Sequence, residues 1–412
     1  MLLKYSPLVS LCHLLAFQPF YLECIVPLHS TELPFIFRRL PSIYPQTFLR
    51  SSATLSFCKS SKFLHVLKNS QHQILRRRLC STAENRSKME IDYSSILKRH
   101  DRKLRFIDIA VNLTDLMFQG LYHSRKKHEC DIERVLCRAD AAGVKKIIVI
   151  GSNLEESRAA ISLCRTFSNV YGPSLFATVG VHPTRCEEFE GIKGQGAAEY
   201  LQNLKELIAS NRDVVAAVGE FGLDFDRTEF CSKQMQLKYF EFQLQLVAEF
   251  KLPMLLHMRT AAMPFCDILR RNLITWKDVG GVVHSFTGSY PDSQQLLQLN
   301  LSIGINGCSL KTHDNLQVVR SIPLDRLLLE TDSPWCEIRP SHAANSLIKT
   351  RILDATKAER WEGKQIKARN EPANIVQVAE IVSELKNYSK DFEEFCLRIV
   401  HNTETLFPLL SS

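Results

Sequence analysis

The first 88 residues contain almost no acid: Glu23, Glu32 and Glu84 stand against 12 Lys/Arg. From residue 89 onward the balance is 40 Lys/Arg to 41 Asp/Glu, so the formal charge of +8 belongs to the N-terminal segment. A global charge argument for nucleic-acid binding therefore fails, and any such binding needs a local patch. Long apolar runs are missing too. The stretch Leu8–Phe20 is apolar but too short and too interrupted to span a bilayer, so no membrane span is expected. The 13 cysteines include no C-x-x-C pair, and Cys137, Cys164 and Cys266 fall inside strand or helix patterns. They fit a reduced, intracellular protein with buried thiols rather than a disulfide framework. No glycine-rich phosphate turn follows the first strand-like run, where residues 110–114 read AVNLT.

Residues 1–88 are rich in Ser, Leu, Phe and Arg, which suits a targeting extension of the organellar transit type, or a disordered one. A mature protein beginning near Met89, or an untranslated extension, is the alternative. The expected domains are an extension over 1–88 and a folded unit over 89–412. The location is mitochondrion or chloroplast if the extension is a transit peptide, and otherwise cytoplasm or nucleus.

From Arg105 onward strand and helix patterns alternate. Strands are predicted at Phe106–Asn112, Lys146–Gly151, Phe176–His182, Val214–Glu220, Pro253–His257, Gly281–His284, Leu301–Asn306 and Arg326–Thr331. The helices between them are predicted at Asp131–Ala142, Leu154–Phe167, Ala197–Ser210, Ser232–Phe250, Ala262–Asn272, Pro291–Leu299 and Asp314–Ser321, with Asp131 and Ser232 as N-terminal residues. Eight such units indicate an α/β fold, a closed (β/α)₈ TIM-type barrel; an open doubly wound sheet is the runner-up. After a weakly periodic stretch, helix-like Ile375–Lys386 and Lys390–Phe407 are expected to cover the outside or bottom of the barrel.

Five ionisable residues stand where these apolar runs end: His182, Glu220, His257, His284 and Asp332, at intervals of 38, 37, 27 and 48 residues. Each interval is about one βα unit or, for the last, two. A buried strand tolerates such a residue only with partners, and five in series point to a metal-centred site at the C-terminal mouth of a barrel. Mixed imidazole and carboxylate donors suit Mg²⁺, Mn²⁺, Zn²⁺ or Fe²⁺. Glu220, His257, His284 and Asp332 are the candidate metal residues. Asp332, Glu220 and His182 are also the candidates for catalysis. Arg259, two residues past His257, suits a phosphate oxygen, and Trp335 could stack on a base.

The segments VGVHP, VGEFGLDF, LLHMR, VVHSFTG, LLLETDSPW and ARNEP, in this order and spacing, resemble the TatD family of metal-dependent deoxyribonucleases, and SHAANSLIKT and ARNEP its eukaryotic branch. The resemblance covers about Phe106–Phe407. It implies a barrel of the metallo-dependent hydrolase kind and hydrolysis of DNA phosphodiester bonds, as a 3′–5′ exonuclease or an endonuclease. It also implies metal-binding or catalytic roles for Glu220, His257, His284 and Asp332. One departure concerns the first strand, where many members carry Asp-x-His-x-His. Here Asp108 is followed by Ala110 and Asn112. One tight ion held by Glu220, His257 and His284 is therefore expected, with a second, weaker ion near Asp332 and His182. That second ion should favour Mg²⁺ or Mn²⁺ over tightly held Zn²⁺. Hydrolysis of a non-nucleic-acid ester or amide, or a degenerate non-catalytic barrel, are the other readings. DNA is the expected partner, and no obligate protein partner is evident.

Overall fold

The computed structural model describes residues 104–191, 196–350, 356–361 and 364–411. The expected extension over 1–88 lies outside the described residues. Eight parallel strands pair in sequence order: β1 (Phe106–Val111), β2 (Val144–Val149), β3 (Ser174–Val179), β4 (Val215–Asp224), β5 (Met254–Arg259), β6 (Gly281–His284), β7 (Ser302–Ile305) and β8 (Leu327–Leu329). Strands β1, β4, β6, β7 and β8 are buried at every residue, as expected for a sheet covered on both faces. The barrel closes just beyond β8. The Asp332 N–H donates to the Ala110 carbonyl at 2.9 Å and the Asn112 N–H to the Ser333 carbonyl at 2.8 Å, with Val111 bridging Ser333 in parallel.

Helices alternate with the strands: α1 (Ile132–Ala141), α2 (Leu154–Phe167), α3 (Ala197–Ala209), α4 (Lys233–Phe250), α5 (Ala262–Arg271), α6 (Tyr290–Gln298) and α7 (His313–Ser321). Their starts follow from capping. The Ser232 hydroxyl accepts from the Met235 N–H, and Asn153, Ser289 and Thr312 cap α2, α6 and α7 in the same way. Asp131 precedes α1, but its side chain makes no cap bond; it is engaged elsewhere. After β8 come α8 (Ile375–Leu385) and α9 (Phe392–Leu406). Phe407 and Leu410, just past α9, pack with Ile107, Ile148, Ala217, Leu255 and Val282 in the barrel interior. The Lys146 ammonium, near the start of β2, bonds the Leu410 carbonyl, so the C-terminal turn seals the N-terminal end of the barrel.

The ARNEP segment explains what holds Asp131. Arg369 is fully buried and donates to both Asp131 oxygens at 2.7 Å and to Glu371 at 2.7 Å. Arg138 on α1 donates to Glu371 from Nε at 2.7 Å and from its terminal nitrogen at 2.9 Å. Two guanidinium and two carboxylate groups thus pair with one another out of water, locking the segment before α8 onto α1 and the residue before it.

One strand boundary differs from expectation in a way that shapes the site. The fourth strand does not end at Glu220; it runs on to Asp224. A register shift against β5 falls between Gly219 and Phe221. The glycines absorb it without breaking the pairing: a Cβ on Gly222 (φ +146°) would lie 2.0 Å from the His257 carbonyl oxygen, and one on Gly219 (φ +151°) 2.4 Å from that of Leu255. Phe221 packs outward against Phe240 of α4. Glu220 points the other way, and Asp224, an even number of residues later, lies on the same side.

Candidate metal centre at the barrel mouth

Glu220 is the centre of the site. Its Oε1 lies 2.8 Å from His257 Nδ1, 2.6 Å from His284 Nε2 and 3.6 Å from His182 Nε2. His257 and His284 face each other in register across β5 and β6. The other nitrogen of His257, Nε2, lies 3.1 Å from Asp224 Oδ2. Arg259, at the end of β5, places its guanidinium 3.7 Å from the same Asp224 oxygen and keeps about 29% of its side chain exposed.

The electrostatics follow from this packing. Burial alone would raise the Glu220 carboxyl, but His284, His182 and the hydrogen bonds from His257 and His284 hold it well below the usual carboxylate range. Burial would lower His257, yet its bonds to Asp224 and Glu220 outweigh that and raise it. His284 moves well above its ordinary value for the same reason, with Glu220 and Glu330 overcoming burial. His182 goes the other way: burial first, then His257 and His284, push it down to about 3 against the pull of Glu220. His182 Nδ1 accepts from the Thr184 N–H at 3.2 Å, which turns Nε2 toward Glu220.

Asp332 follows β8 in the left-handed region (φ +53°). Its Oδ1 accepts from the Asn112 amide at 2.9 Å and its Oδ2 from the Cys336 thiol at 3.3 Å. Burial pushes its carboxyl up to about 6; Glu330 and Glu220 add to the rise and His284 opposes it. Trp335, about half exposed, is tied to this turn by its N–H bond to the Asp332 carbonyl at 3.0 Å.

Among the described residues, two groups of side chains could hold a cation. One is Glu220, His257 and His284; the other is His182, Asp224 and His257; in each, the donor atoms lie within 4.8 Å of one another. The first fits a divalent ion well: two imidazoles and one carboxylate, all buried, leave coordination positions for water and substrate. Asp332 is in neither group. It lies near enough to the first for the charges of His284 and Glu220 to act on its carboxyl, and it is held by Asn112 and Cys336.

Sequence reasoning missed several residues here. Asp224 stood inside the GEFGLD segment, four residues past Glu220, and the two-residue period of a strand would have placed it on the same face. Glu330 is fully buried directly after β8, with one oxygen bonded by the Ser285 N–H at 2.5 Å and the Asn306 amide at 3.0 Å. An acid closing the run LLL was its signal. Asp108 of β1 is fully buried, bonded by the Thr331 N–H at 2.9 Å and paired with the Thr331 hydroxyl at 2.6 Å. Burial pushes its carboxyl up to about 8 against those bonds.

A closed eight-stranded parallel barrel with imidazoles and carboxylates converging at its C-terminal mouth is the architecture of the metal-dependent hydrolase barrels. The comparisons with known proteins are narrower. The family model described as "TatD related DNase" matches residues 107–408. The Schizosaccharomyces pombe protein named "Deoxyribonuclease Tat-D" is 42% identical over 317 residues, spanning 76% of this chain and 99% of the relative. The Erwinia amylovora protein named "3′-5′ ssDNA/RNA exonuclease TatD" is 33% identical over 308 residues, 73% of this chain and 99% of its own length. Among solved structures, an uncharacterized amidohydrolase from Saccharomyces cerevisiae superposes with a TM-score of 0.70 at 35% identity, over 74% of this chain and all of the other. The chain belongs to the TatD family.

Proposed function

We propose that this chain is a metal-dependent deoxyribonuclease that hydrolyses phosphodiester bonds and releases nucleotides from the 3′ end of single strands. The observation that carries the reading is the convergence of His257 and His284 on one Glu220 oxygen, with Asp332 beside them. The names of the relatives support the substrate class. A bound divalent cation supplies the charge that polarises a phosphate and brings the pKa of water toward neutrality. Glu220, His257 and His284 would hold it. Asp332, oriented by Asn112, takes the proton of the attacking water; the raised pKa of its carboxyl places it nearer the working pH of a general base than an ordinary aspartate. Arg259 and Trp335 bind the strand, one at a phosphate oxygen and the other against a base.

Ala110 offers no donor atom, and the Asn112 amide is engaged with Asp332. The second group, His182, Asp224 and His257, borrows a histidine from the first. A second ion there is weaker and more water-rich, with Mg²⁺ or Mn²⁺ preferred. This replaces the expected pairing of Asp332 with His182 as its site. Residues 1–88 act as a targeting extension and 89–412 as the catalytic unit. The cysteines among the described residues are free thiols, which supports a reducing, intracellular location.

The test is release of labelled nucleotides from single-stranded DNA carrying 3′ or 5′ label, with Mg²⁺, with Mn²⁺ and with chelator. Metal-dependent release of the 3′ label first supports the reading. Absence of release by folded protein in every metal, with hydrolysis of a carboxylic ester or amide instead, overturns it.

A further inference from the structure

Two buried polar atoms of this molecule face each other without hydrogen-bond partners. One is Nδ1 of His284; the other is Oε2 of Glu330, 3.6 Å away. A buried acceptor and a buried ring nitrogen are seldom both left unsatisfied in a native protein. Glu330 is also built into its place. Its N–H donates to the Ile305 carbonyl at 3.1 Å, fixing the backbone against β7. Its Oε1 takes the Ser285 N–H and the Asn306 amide, which orient the carboxylate plane. Gly304 leaves the room that Oε2 occupies, since a Cβ there would lie 2.9 Å from that oxygen. The side chain is thus held at one oxygen and aimed with the other at the imidazole whose far nitrogen meets Glu220.

We propose that Glu330 is a positioning residue of the metal centre, accepting the Nδ1 proton of His284 so that Nε2 is left as the donor to the cation. This rests on the metal reading of the site given above. The logic is that of a carboxylate–histidine–metal relay, in which the outer carboxylate fixes the tautomer and ring orientation and makes the imidazole a better ligand. Hydrogen bonds of this kind are often long without the ligand and tighten around it.

Oε1 already accepts two donors, and this makes one substitution decisive. In Glu330→Gln the side-chain carbonyl must take the Oε1 place, because Ser285 and Asn306 both donate to it. The amide NH₂ then points at His284 Nδ1 and donates to it. The imidazole proton is driven to Nε2, the nitrogen the cation needs. Shape and burial are retained while the tautomer is reversed.

Calorimetric titration of Mn²⁺ and Zn²⁺ into chelator-treated, DNA-free protein tests this. The Glu330→Gln protein is expected to bind roughly 10- to 100-fold more weakly than wild type, the range for loss of an outer partner, with nucleotide release reduced in step. Equal affinity in the folded variant overturns the proposal and leaves the metal reading intact. Wild-type protein that binds neither ion overturns both. If the variant does not fold, wild-type protein decides: ¹⁵N spectra of the histidine rings in the Zn²⁺-loaded form should show His284 protonated at Nδ1 and metallated at Nε2. Protonation at Nε2, or an unmetallated ring, overturns the assignment.

Discussion

Asn112 of the first strand donates from its side-chain amide to Oδ1 of Asp332 at 2.9 Å, across the seam where the barrel closes. The two residues are 220 positions apart in the chain. Asn112 stands where many relatives of the resemblance carry a strand-1 histidine, and in this chain it serves the carboxylate.

Replacing Asn112 by Ala removes the donor and leaves Oδ1 unpaired. A hydrogen bond to a charged group contributes about 1.5–3 kcal/mol, so kcat on single-stranded DNA should fall roughly 10- to 150-fold with KM little changed. The bond favours the charged form of Asp332, so its loss should also shift the acidic limb of the kcat profile to higher pH. In wild type that limb should lie at or below about pH 6, the value burial gives the carboxyl, because a nearby cation can only lower it. An unchanged profile in the variant would show that Asn112 does not orient Asp332.

Metal entry should release protons. His257 and His284 are both raised by the carboxylates around them, so near neutral pH the chelated protein carries protons that a cation must displace. Affinity is therefore fullest above the raised imidazole values and falls as pH drops through them. The slope should approach about two protons per ion for the Glu220–His257–His284 set. Calorimetry in two buffers of different ionisation enthalpy measures the number directly. A result near zero would mean that the imidazoles are neutral before the ion arrives.

Asp108 should make wild-type stability fall with rising pH. Its folded carboxyl keeps a proton up to about 8, whereas in the unfolded chain it ionises near about 3.9. Between these values the unfolded state binds fewer protons, so ΔG of unfolding declines, by at most about 1.4 kcal/mol per pH unit. Asp108→Asn presents an NH₂ where the acid presents OH and should flatten this component. The check is the difference between wild-type and variant urea midpoints at pH 5, 6 and 7. Parallel midpoints would show that Asp108 is ionised in the fold.

The Arg369–Asp131–Arg138–Glu371 cluster should be costly to break. Glu371→Gln leaves Arg138 and Arg369 short of one charge in a buried setting, which costs about 3–5 kcal/mol. Urea unfolding should show the loss as a lower midpoint with an unchanged slope. A change below about 1 kcal/mol would mean that the remaining partners rearrange to satisfy both guanidinium groups.

A chain beginning at Met89 should fold and hydrolyse DNA as the full chain does. The family match starts at residue 107, and the acid-poor composition of 1–88 is unlike everything after it. Loss of a cooperative melt on that truncation would assign the segment to the catalytic unit.

The barrel was legible because parallel strands buried on both faces read as continuous apolar runs, and five of the eight ended at or beside a visible His, Glu or Asp. Boundaries moved by a few residues. The fourth strand moved most, since the glycines that looked like an exit from the strand instead carry a register shift within it. That shift hid Asp224 as a partner of His257. Glu330, Asn306 and Asn112 were hidden differently. Their work consists of hydrogen bonds to residues 21 to 220 positions away, and no local periodicity records such pairings. The buried cluster around Arg369 is of the same sort: ARNEP showed that two charges stood together but not that Arg138 of α1 and Asp131 just before it supply the other two.

Barrel closure has a consequence for the newborn protein. Asp332 and its partner Asn112 meet only when the last strand docks against the first, and Asp108 and Thr331, 223 positions apart, join at the same moment. Contacts of such separation form late. Until the ribosome has delivered the final strand, the half-made chain holds Glu220, His257 and His284 without Asp332 beside them. The site as proposed is therefore incomplete while the chain is still being translated, because the residue that finishes it is also the closing stitch of the barrel.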